Sequence, residues 1–134
     1  MELSAPTFRV KLAALCKAND EDWARVRVGV QTGGFAGDFE AWLQYGDIDS
    51  FSKQLRALYA NVGQPGTARL ECAERGISMI LTMETLGGID GQFTFFDENT
   101  SAVLSGDFKI DQSYIPEWRN AVDSLLDELR SHTT

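Results

Sequence analysis

Residues 24–43, ARVRVGVQTGGFAGDFEAWL, decide the fold of this 134-residue chain. In the first half of the stretch, apolar side chains alternate with Arg25 and Arg27, and beyond the turn at Gly33 the alternation resumes. A period of two is typical of a half-buried strand, and glycine supplies the positive φ angle that a tight hairpin turn needs. We therefore predict two antiparallel strands joined by a turn centred near Gly33.

Charged residues on the outward face of this hairpin predict cross-strand ion pairs. Pairing Arg25 with Glu40 and Arg27 with Asp38 keeps one constant register along the two strands. Opposite charges that face each other on an exposed sheet surface stabilise it by roughly a few tenths of a kcal/mol per pair. We expect both pairs on the solvent-facing side of the sheet.

Outside the hairpin, the period of two recurs on both sides and a helical period appears twice. The alternation predicts about seven strands, near residues 8–14, 24–30, 35–43, 68–72, 77–83, 89–95 and 102–110. Asp47 to Val62 and Ser113 to Arg130 each carry six apolar residues at identical helical offsets, as amphipathic helices do. In the second helix we expect burial of Trp118, Val122, Leu125 and Leu129.

The order of these elements is three strands, a helix, four strands and a helix. Links of hairpin length favour antiparallel pairing, because parallel strands need long crossover connections. The sequence therefore predicts an α+β fold, in which a single antiparallel sheet of about seven strands carries both amphipathic helices on one face. Because 134 residues is the size of one domain, we predict a single globular domain over residues 1–134.

Capping and turn residues mark the ends of the two helices. Asp47 or Asp49 is expected to cap the first helix, and Gly63 to end it. Asp111 and the two residues after it are expected to accept hydrogen bonds from the first amides of the second helix. The apolar stripe predicted to bury the first helix comprises Ile48, Phe51, Leu55, Leu58, Tyr59 and Val62.

Composition excludes several classes of protein. The chain is 43% hydrophobic and 24% charged, as ordinary folded domains are, and its formal net charge of −8 argues against direct binding of nucleic acid. The longest apolar run, Leu12 to Cys16, is too short to cross a membrane, and Glu2 is unsuited to a secretory start. We expect a cytoplasmic protein whose two cysteines, Cys16 and Cys72, are reduced core residues.

The sequence offers little for catalysis or for binding a metal. Its one histidine, His132, lies at the end of the chain, so a histidine-dependent triad or a multi-histidine metal site is not expected. The glycine-rich residues 32–37 lack the lysine that follows in a phosphate-binding loop, and a hairpin turn explains them better. We predict no metal and no organic cofactor, and we expect His132→Ala to leave any activity intact.

Two surface features indicate binding of another protein. Asp20, Glu21 and Asp22 form the densest acidic run and belong to a solvated hairpin tip. Aromatic residues near arginine and acid on one sheet face are also typical of protein interfaces. Four apolar residues have the outward parity of their strands: Trp42, Ile80, Phe96 and Val103.

Several segments together resemble the WapI-type immunity proteins and related small bacterial families of unassigned function. They are the opening Phe8-Arg9-Val10, Gly34-Phe35-Ala36-Gly37 leading to Trp42-Leu43, the helix Ile48 to Leu58, and the closing FKIDQSYI at 108–115. The resemblance implies a cytoplasmic protein without catalysis that binds and neutralises the toxin domain of a polymorphic toxin, often a nuclease. No contact residue is carried over, because the matching positions look structural.

The leading hypothesis is an immunity protein whose partner is a cognate toxin domain, with Asp20, Glu21, Asp22 and Trp42 as partner-binding residues. Neither a membrane nor a nucleic acid is expected as a partner, and the sequence leaves the oligomeric state open. One alternative is a small-molecule carrier with an apolar pocket lined by Met79, Met83, Phe93 and Phe95. Another is a carboxylate-dependent hydrolase, which clustered acids with raised pKa values in a cleft would favour.

Overall fold

The computed structural model describes residues 1–72 and 74–131. This part of the chain forms eight strands and two α-helices, with a short 3₁₀ turn, Gln112–Tyr114, before the last helix. In chain order they are β1 (Glu2–Ala5), β2 (Phe8–Ala14), β3 (Trp23–Thr32), β4 (Phe35–Gln44), α1 (Tyr45–Ala60), β5 (Gly66–Glu71), β6 (Ile77–Met83), β7 (Gly88–Asp97), β8 (Ala102–Asp111) and α2 (Ile115–Ser131).

The strands form two separate four-stranded sheets. Sheet A has the order β1-β2-β3-β4 and sheet B the order β5-β6-β7-β8, and every neighbouring pair is antiparallel. The predicted single sheet of about seven strands with both helices on one face is therefore wrong. Helix α1 separates β4 from β5, so no hairpin joins these two strands. Each group of four consecutive strands forms its own antiparallel meander. The prediction also missed β1, whose four residues are too short to show an alternation.

The two helices pack between elements of both sheets. Helix α1 contacts β5 and α2, and α2 contacts β1 and β2. The indole Nε1 of Trp118 donates a hydrogen bond to the backbone oxygen of Ser4 at 3.1 Å, which ties α2 to the edge of sheet A. The predicted burial of the second helix is confirmed for all four residues: Trp118, Val122, Leu125 and Leu129.

One hydrophobic core joins the sheets. The ring of Phe8 on β2 stacks on two rings of sheet B, with centroids 4.6 Å from Phe93 and 4.5 Å from Phe108. The inward residues of both sheets and both helices belong to the same buried cluster. Stacked aromatic rings bury large apolar areas, so this contact between β2, β7 and β8 is a main link between the sheets.

The helix ends differ slightly from the prediction. Helix α1 begins at Tyr45, and the Gln44 amide donates to Asp47 Oδ2 at 2.9 Å, so Asp47 caps the helix from its third residue. Tyr59 and Val62, expected on the buried stripe, are each 44% exposed: Tyr59 lies in the last turn of the helix, and Val62 lies beyond its end at Ala60. The capping role of Asp111 is confirmed, since its carboxylate accepts a hydrogen bond from the Ser113 amide at 2.9 Å.

A polar clamp joins the two helices. The hydroxyl of Ser52, itself buried, donates to Asp123 Oδ1 at 2.6 Å, and Arg56 Nη2 donates to Asp123 Oδ2 at 3.1 Å. Partial burial would raise the pKa of Asp123, but the hydrogen bonds from Ser52 and Arg56 outweigh it and lower the pKa below its ordinary value. The carboxylate therefore stabilises the fold in its ionised form.

Replacing Asp123 with Asn is expected to lower the free energy of unfolding at neutral pH by about 1 kcal/mol. Because the folded-state pKa is the lower one, this contribution is present above the unfolded-state pKa and is lost as pH falls through the folded-state pKa. Urea unfolding of the wild type and of Asp123→Asn, at neutral pH and at about pH 3, measures the difference in their free energies of unfolding. A difference between the two proteins that does not shrink at the acidic pH would contradict this role for Asp123.

Candidate partner-binding surface

The acidic run lies in the turn between β2 and β3. Asp20, Glu21 and Asp22 are all exposed. The side-chain oxygen of Asn19 accepts hydrogen bonds from the amides of Glu21 at 2.9 Å and Trp23 at 3.0 Å. These bonds fix the backbone of the turn, so the three carboxylates project from an ordered segment.

The turn is also fastened to the start of α1. The backbone oxygen of Asp22 accepts a hydrogen bond from the Tyr45 amide at 2.8 Å. Asp22 has a φ of 63°, a left-handed conformation that aspartate adopts more readily than most residues. The guanidinium of Arg130 lies 4.1 Å from the centre of the Tyr45 ring, and this brings the end of α2 to the same corner. The acidic turn therefore sits where β4, α1 and α2 meet.

Trp42 projects from the outer face of β4 and is 48% exposed. The predicted ion pairs are present, Arg25 to Glu40 at 3.3 Å and Arg27 to Asp38 at 2.9 Å. The predicted register is wrong by two residues, however, because Arg25 lies opposite Trp42 and Arg27 opposite Glu40. A shift of two keeps every side chain on its face, so both pairs form along the diagonal of the ladder.

A groove of about 490 Å³ runs beside Trp42, between β4 and two turns of sheet B. Gly76 is buried at its base, where an added side-chain carbon would lie 3.0 Å from Cβ of Ala41. This close approach of backbone to β4 favours glycine at position 76, because a larger residue would have to displace Ala41 by a few tenths of an ångström. The groove is lined by Arg25, Glu40, Ala41, Trp42, Glu74, Gly76, Phe96, Glu98 and Asn99.

The groove combines negative charge with aromatic surface. Glu40, Glu74 and Glu98 line it, against the single guanidinium of Arg25. At its edge the guanidinium of Arg75 lies 4.4 Å from the centre of the Phe96 ring and 4.0 Å from Glu98 Oε1. Arg75 thus makes the type of contact that an incoming cation would make, resting on an aromatic ring with a carboxylate beside it. The groove thus presents carboxylates and an aromatic ring, the groups that lysine and arginine side chains bind.

The fold places the two predicted features at one end of the β3–β4 hairpin. Trp23, next to the acidic turn, pairs with Gln44, only two residues from Trp42. The three turn carboxylates do not line the groove itself. Its acids Glu74 and Glu98 were missed in the sequence, because they lie in turns that only the fold brings to Trp42.

The residues of the carrier hypothesis belong to the core. Met79, Met83, Phe93 and Phe95 are each at most 3% exposed. The rings of Phe93 and Phe95 lie 5.6 Å apart and both contact Phe8. These four side chains pack against the interior and do not form the open pocket that a carrier would need.

Metal and thiol chemistry find no support in the described residues. No group of three or more His, Cys, Asp or Glu side chains there is placed to hold a metal ion. His132, whose replacement by Ala is predicted to leave any activity intact, lies outside the described residues. Cys16 and Cys72 are half-buried free thiols, and burial raises the pKa of the Cys72 thiol, which keeps it protonated and unreactive.

No helix in residues 1–72 and 74–131 is both long enough and apolar enough to span a membrane.

Comparison with known proteins gives one family and a set of distant structures. Residues 6–130 match the family described as immunity protein WapI-like. No curated protein matches the chain significantly. Among solved structures, WHY1 from Arabidopsis thaliana is similar with a TM-score of 0.48 and 10% identity, covering 98% of this chain and 90% of that one.

A structure of the plant transcriptional regulator PBF-2 is similar with a TM-score of 0.47 and 8% identity, covering 96% of this chain and 80% of that one. The TM-scores and identities of both plant proteins are low. No property of either is therefore carried over to this chain.

Proposed function

This chain belongs to the immunity protein WapI-like family, and from that premise we propose that it binds and neutralises a toxin domain without catalysing a reaction. The match over residues 6–130, which spans β2 to β8 and nearly all of α2, is the observation that carries the proposal. Binding to a protein is all the chemistry this function requires. We place this binding in the cytoplasm, the compartment in which the toxin domain would act.

The face we assign to the toxin is the corner formed by the acidic turn and Trp42. Asp20, Glu21 and Asp22 supply negative charge on an ordered turn, and Trp42 supplies an exposed aromatic ring beside a groove. Tryptophan is enriched among the residues that dominate binding energy, while rim charges act mainly on the association rate. In this proposal the acidic turn speeds association, and Trp42 supplies most of the binding energy.

The net charge of −8 supports a basic partner, and a nuclease is the partner class we favour. Sites that act on nucleic acids are basic because they hold phosphates. Carboxylates on a rigid turn can occupy such positions, and complementary fields speed association. The acidic turn would thereby compete with the nucleic acid for the toxin.

The direct test is binding of the purified full chain to the toxin domain encoded beside its gene. Surface-binding kinetics are measured, and light scattering gives the composition of the complex. We expect a stable complex with one copy of each protein. A toxin domain from an unrelated locus is the control for specificity, and a failure of the neighbouring domain to bind would remove the proposed function for that partner.

Reversing the charge of the acidic turn is expected to slow association. With Asp20, Glu21 and Asp22 all replaced by Lys, the rate constant should fall about tenfold at low salt and much less at high salt, because salt screens exposed charges. Stopped-flow mixing over a range of salt concentrations measures this.

The matched control makes the same change in net charge elsewhere. Glu84, Asp107 and Glu117 are also exposed and lie away from the groove. Their replacement by Lys should slow association by a smaller factor than the turn variant. Equal effects of the two triple variants would show that only net charge matters, and the assignment of the acidic turn would fail.

A further inference from the structure

Strand β4 is an edge of sheet A, and half of its backbone hydrogen-bonding groups point away from β3. The amide of Tyr45, one residue beyond β4, donates to the oxygen of Asp22 at 2.8 Å, so odd-numbered residues in this ladder face β3. Backbone groups alternate in direction along a strand. The amides and carbonyls of Asp38, Glu40 and Trp42 are therefore directed to the free edge.

The ladder between β2 and β3 independently shows which residues of β4 face the free edge. The amide of Leu15 donates to the oxygen of Arg25 at 2.9 Å, so odd-numbered residues of β3 bond to β2. Its even-numbered residues must then bond to β4, and in the observed register Val26 and Val28 lie opposite Ala41 and Phe39. Both ladders thus leave the even-numbered residues of β4 without a strand partner in the part of the chain that the structure describes.

The edge of β5 is contacted by a helix. The side-chain amide of Gln54 on α1 accepts from the Arg69 amide at 2.8 Å and donates to the Arg69 oxygen at 3.4 Å. Helix α1 therefore lies over β5 and satisfies the outward backbone groups of Arg69. The edge of β4 is bordered instead by open grooves, of about 490 Å³ near Trp42 and about 320 Å³ near Ala36.

We infer that the free edge of β4 receives an extended segment of the partner that carries lysine or arginine, which adds a fifth strand to sheet A. The inference rests on the proposed toxin-binding function and specifies how the partner is held. Main-chain hydrogen bonds to Asp38, Glu40 and Trp42 would supply affinity. Side chains at alternate positions of the added strand would supply specificity, as in other cases of strand addition.

The charge around the edge of β4 favours a basic segment of another protein over a second copy of this chain. An added strand brings alternate side chains to the outer face, next to Glu40, Glu98 and the ring of Trp42. These groups favour cations and disfavour acids. A second copy of this chain would bring its own Asp38 and Glu40, each with its paired arginine, to the same edge, and it would bring a second net charge of −8. The edge is therefore suited to a basic segment of another protein.

Proline at position 40 tests the edge selectively. Glu40→Pro removes an amide that faces outward and leaves the hydrogen bonds between β3 and β4 in place, and prolines are accepted on edge strands for this reason. Glu40→Gln is the matched control, because it removes the same charge and the ion pair with Arg25 but keeps the amide. Circular dichroism and thermal unfolding of both variants check that each is folded before binding is measured.

We expect Glu40→Pro to weaken binding of the neighbouring toxin domain about tenfold or more, and Glu40→Gln less than about threefold. Hydrogen exchange at the amides of Asp38, Glu40 and Trp42 should slow about tenfold in the wild-type complex. Equal affinities for the two variants, or slowed exchange on β8 at Ser105 and Asp107 instead, would overturn the inference and leave the proposed function standing.

A defined peptide separates this inference from the identity of the partner. A synthetic peptide of alternating Lys and Val should shift the NMR signals of Asp38, Glu40 and Trp42 in the full chain, and a Glu-for-Lys peptide should not. If the toxin domain does not bind the wild-type chain, the proposed function fails for that partner, and the peptide experiment alone tests the inference. The absence of NMR shifts at these three residues would then overturn the inference. If the chain alone forms a dimer and Glu40→Pro dissociates that dimer, the edge of β4 binds a second copy of the chain, and this result would also overturn the inference.

Discussion

Replacing Leu125 with Ala is expected to lower the free energy of unfolding by about 2 to 5 kcal/mol. Leu125 lies in α2, is 0% exposed and belongs to the core that joins both helices to both sheets. Removing its terminal carbons loses the transfer free energy of those atoms and leaves a cavity that the close-packed surroundings fill only in part. For a domain of this size, such a loss is a large part of total stability.

Denaturant unfolding of wild type and variant, with a common slope, measures the difference. Leu86→Ala is the matched control, because it makes the same chemical change at a side chain that is 97% exposed. We expect the control to change stability by less than about 0.5 kcal/mol. Similar losses in the two variants would contradict the placement of α2 against the sheets.

Replacing Trp42 with Ala is expected to speed dissociation of the toxin complex about thirtyfold, which corresponds to about 2 kcal/mol. The indole is 48% exposed, lies beside an acidic groove and would become covered when the partner binds. Changes at an interface act mostly on the dissociation rate, and large aromatic anchors have the greatest effects. Because Trp42 is already half exposed, the free energy of unfolding should change little.

Tyr59→Ala provides the comparison, since Tyr59 is an aromatic residue that is 44% exposed on α1 and does not line the groove. Its dissociation rate should stay within about twofold of wild type. Both rates come from the same surface-binding measurement. If Trp42→Ala dissociates no faster than Tyr59→Ala, Trp42 is not an anchor and the toxin binds on another face.

The sequence pattern predicts elements well because each element has its own period. The stripe that includes Trp118 and Leu125 gave the second helix and its buried face, and the glycine at position 33 gave the hairpin turn, where φ is 55°. Neither period says which strands are neighbours. The sequence did predict α1 between β4 and β5, but no alternation within a strand shows whether the strands on the two sides of that helix pair, and they form separate sheets.

The candidate site was predictable only in part, for a related reason. Trp42 could be placed on the outward face by parity alone, and it is exposed there. The register of its strand could not be fixed, because a shift of two residues keeps the parity and still allows both ion pairs. Glu74 and Glu98 are distant from Trp42 in sequence and reach it through the packing of sheet B against β4.

Protection of a living cell from the toxin tests the central claim most directly. The toxin domain encoded beside the gene is expressed in a bacterial host with the wild-type chain, or with a variant that combines Trp42→Ala and the reversed acidic turn. We predict normal growth with wild type and arrested growth with the variant at equal protein levels. Arrest of growth despite full expression of the wild-type chain would contradict the claim that this protein neutralises the toxin.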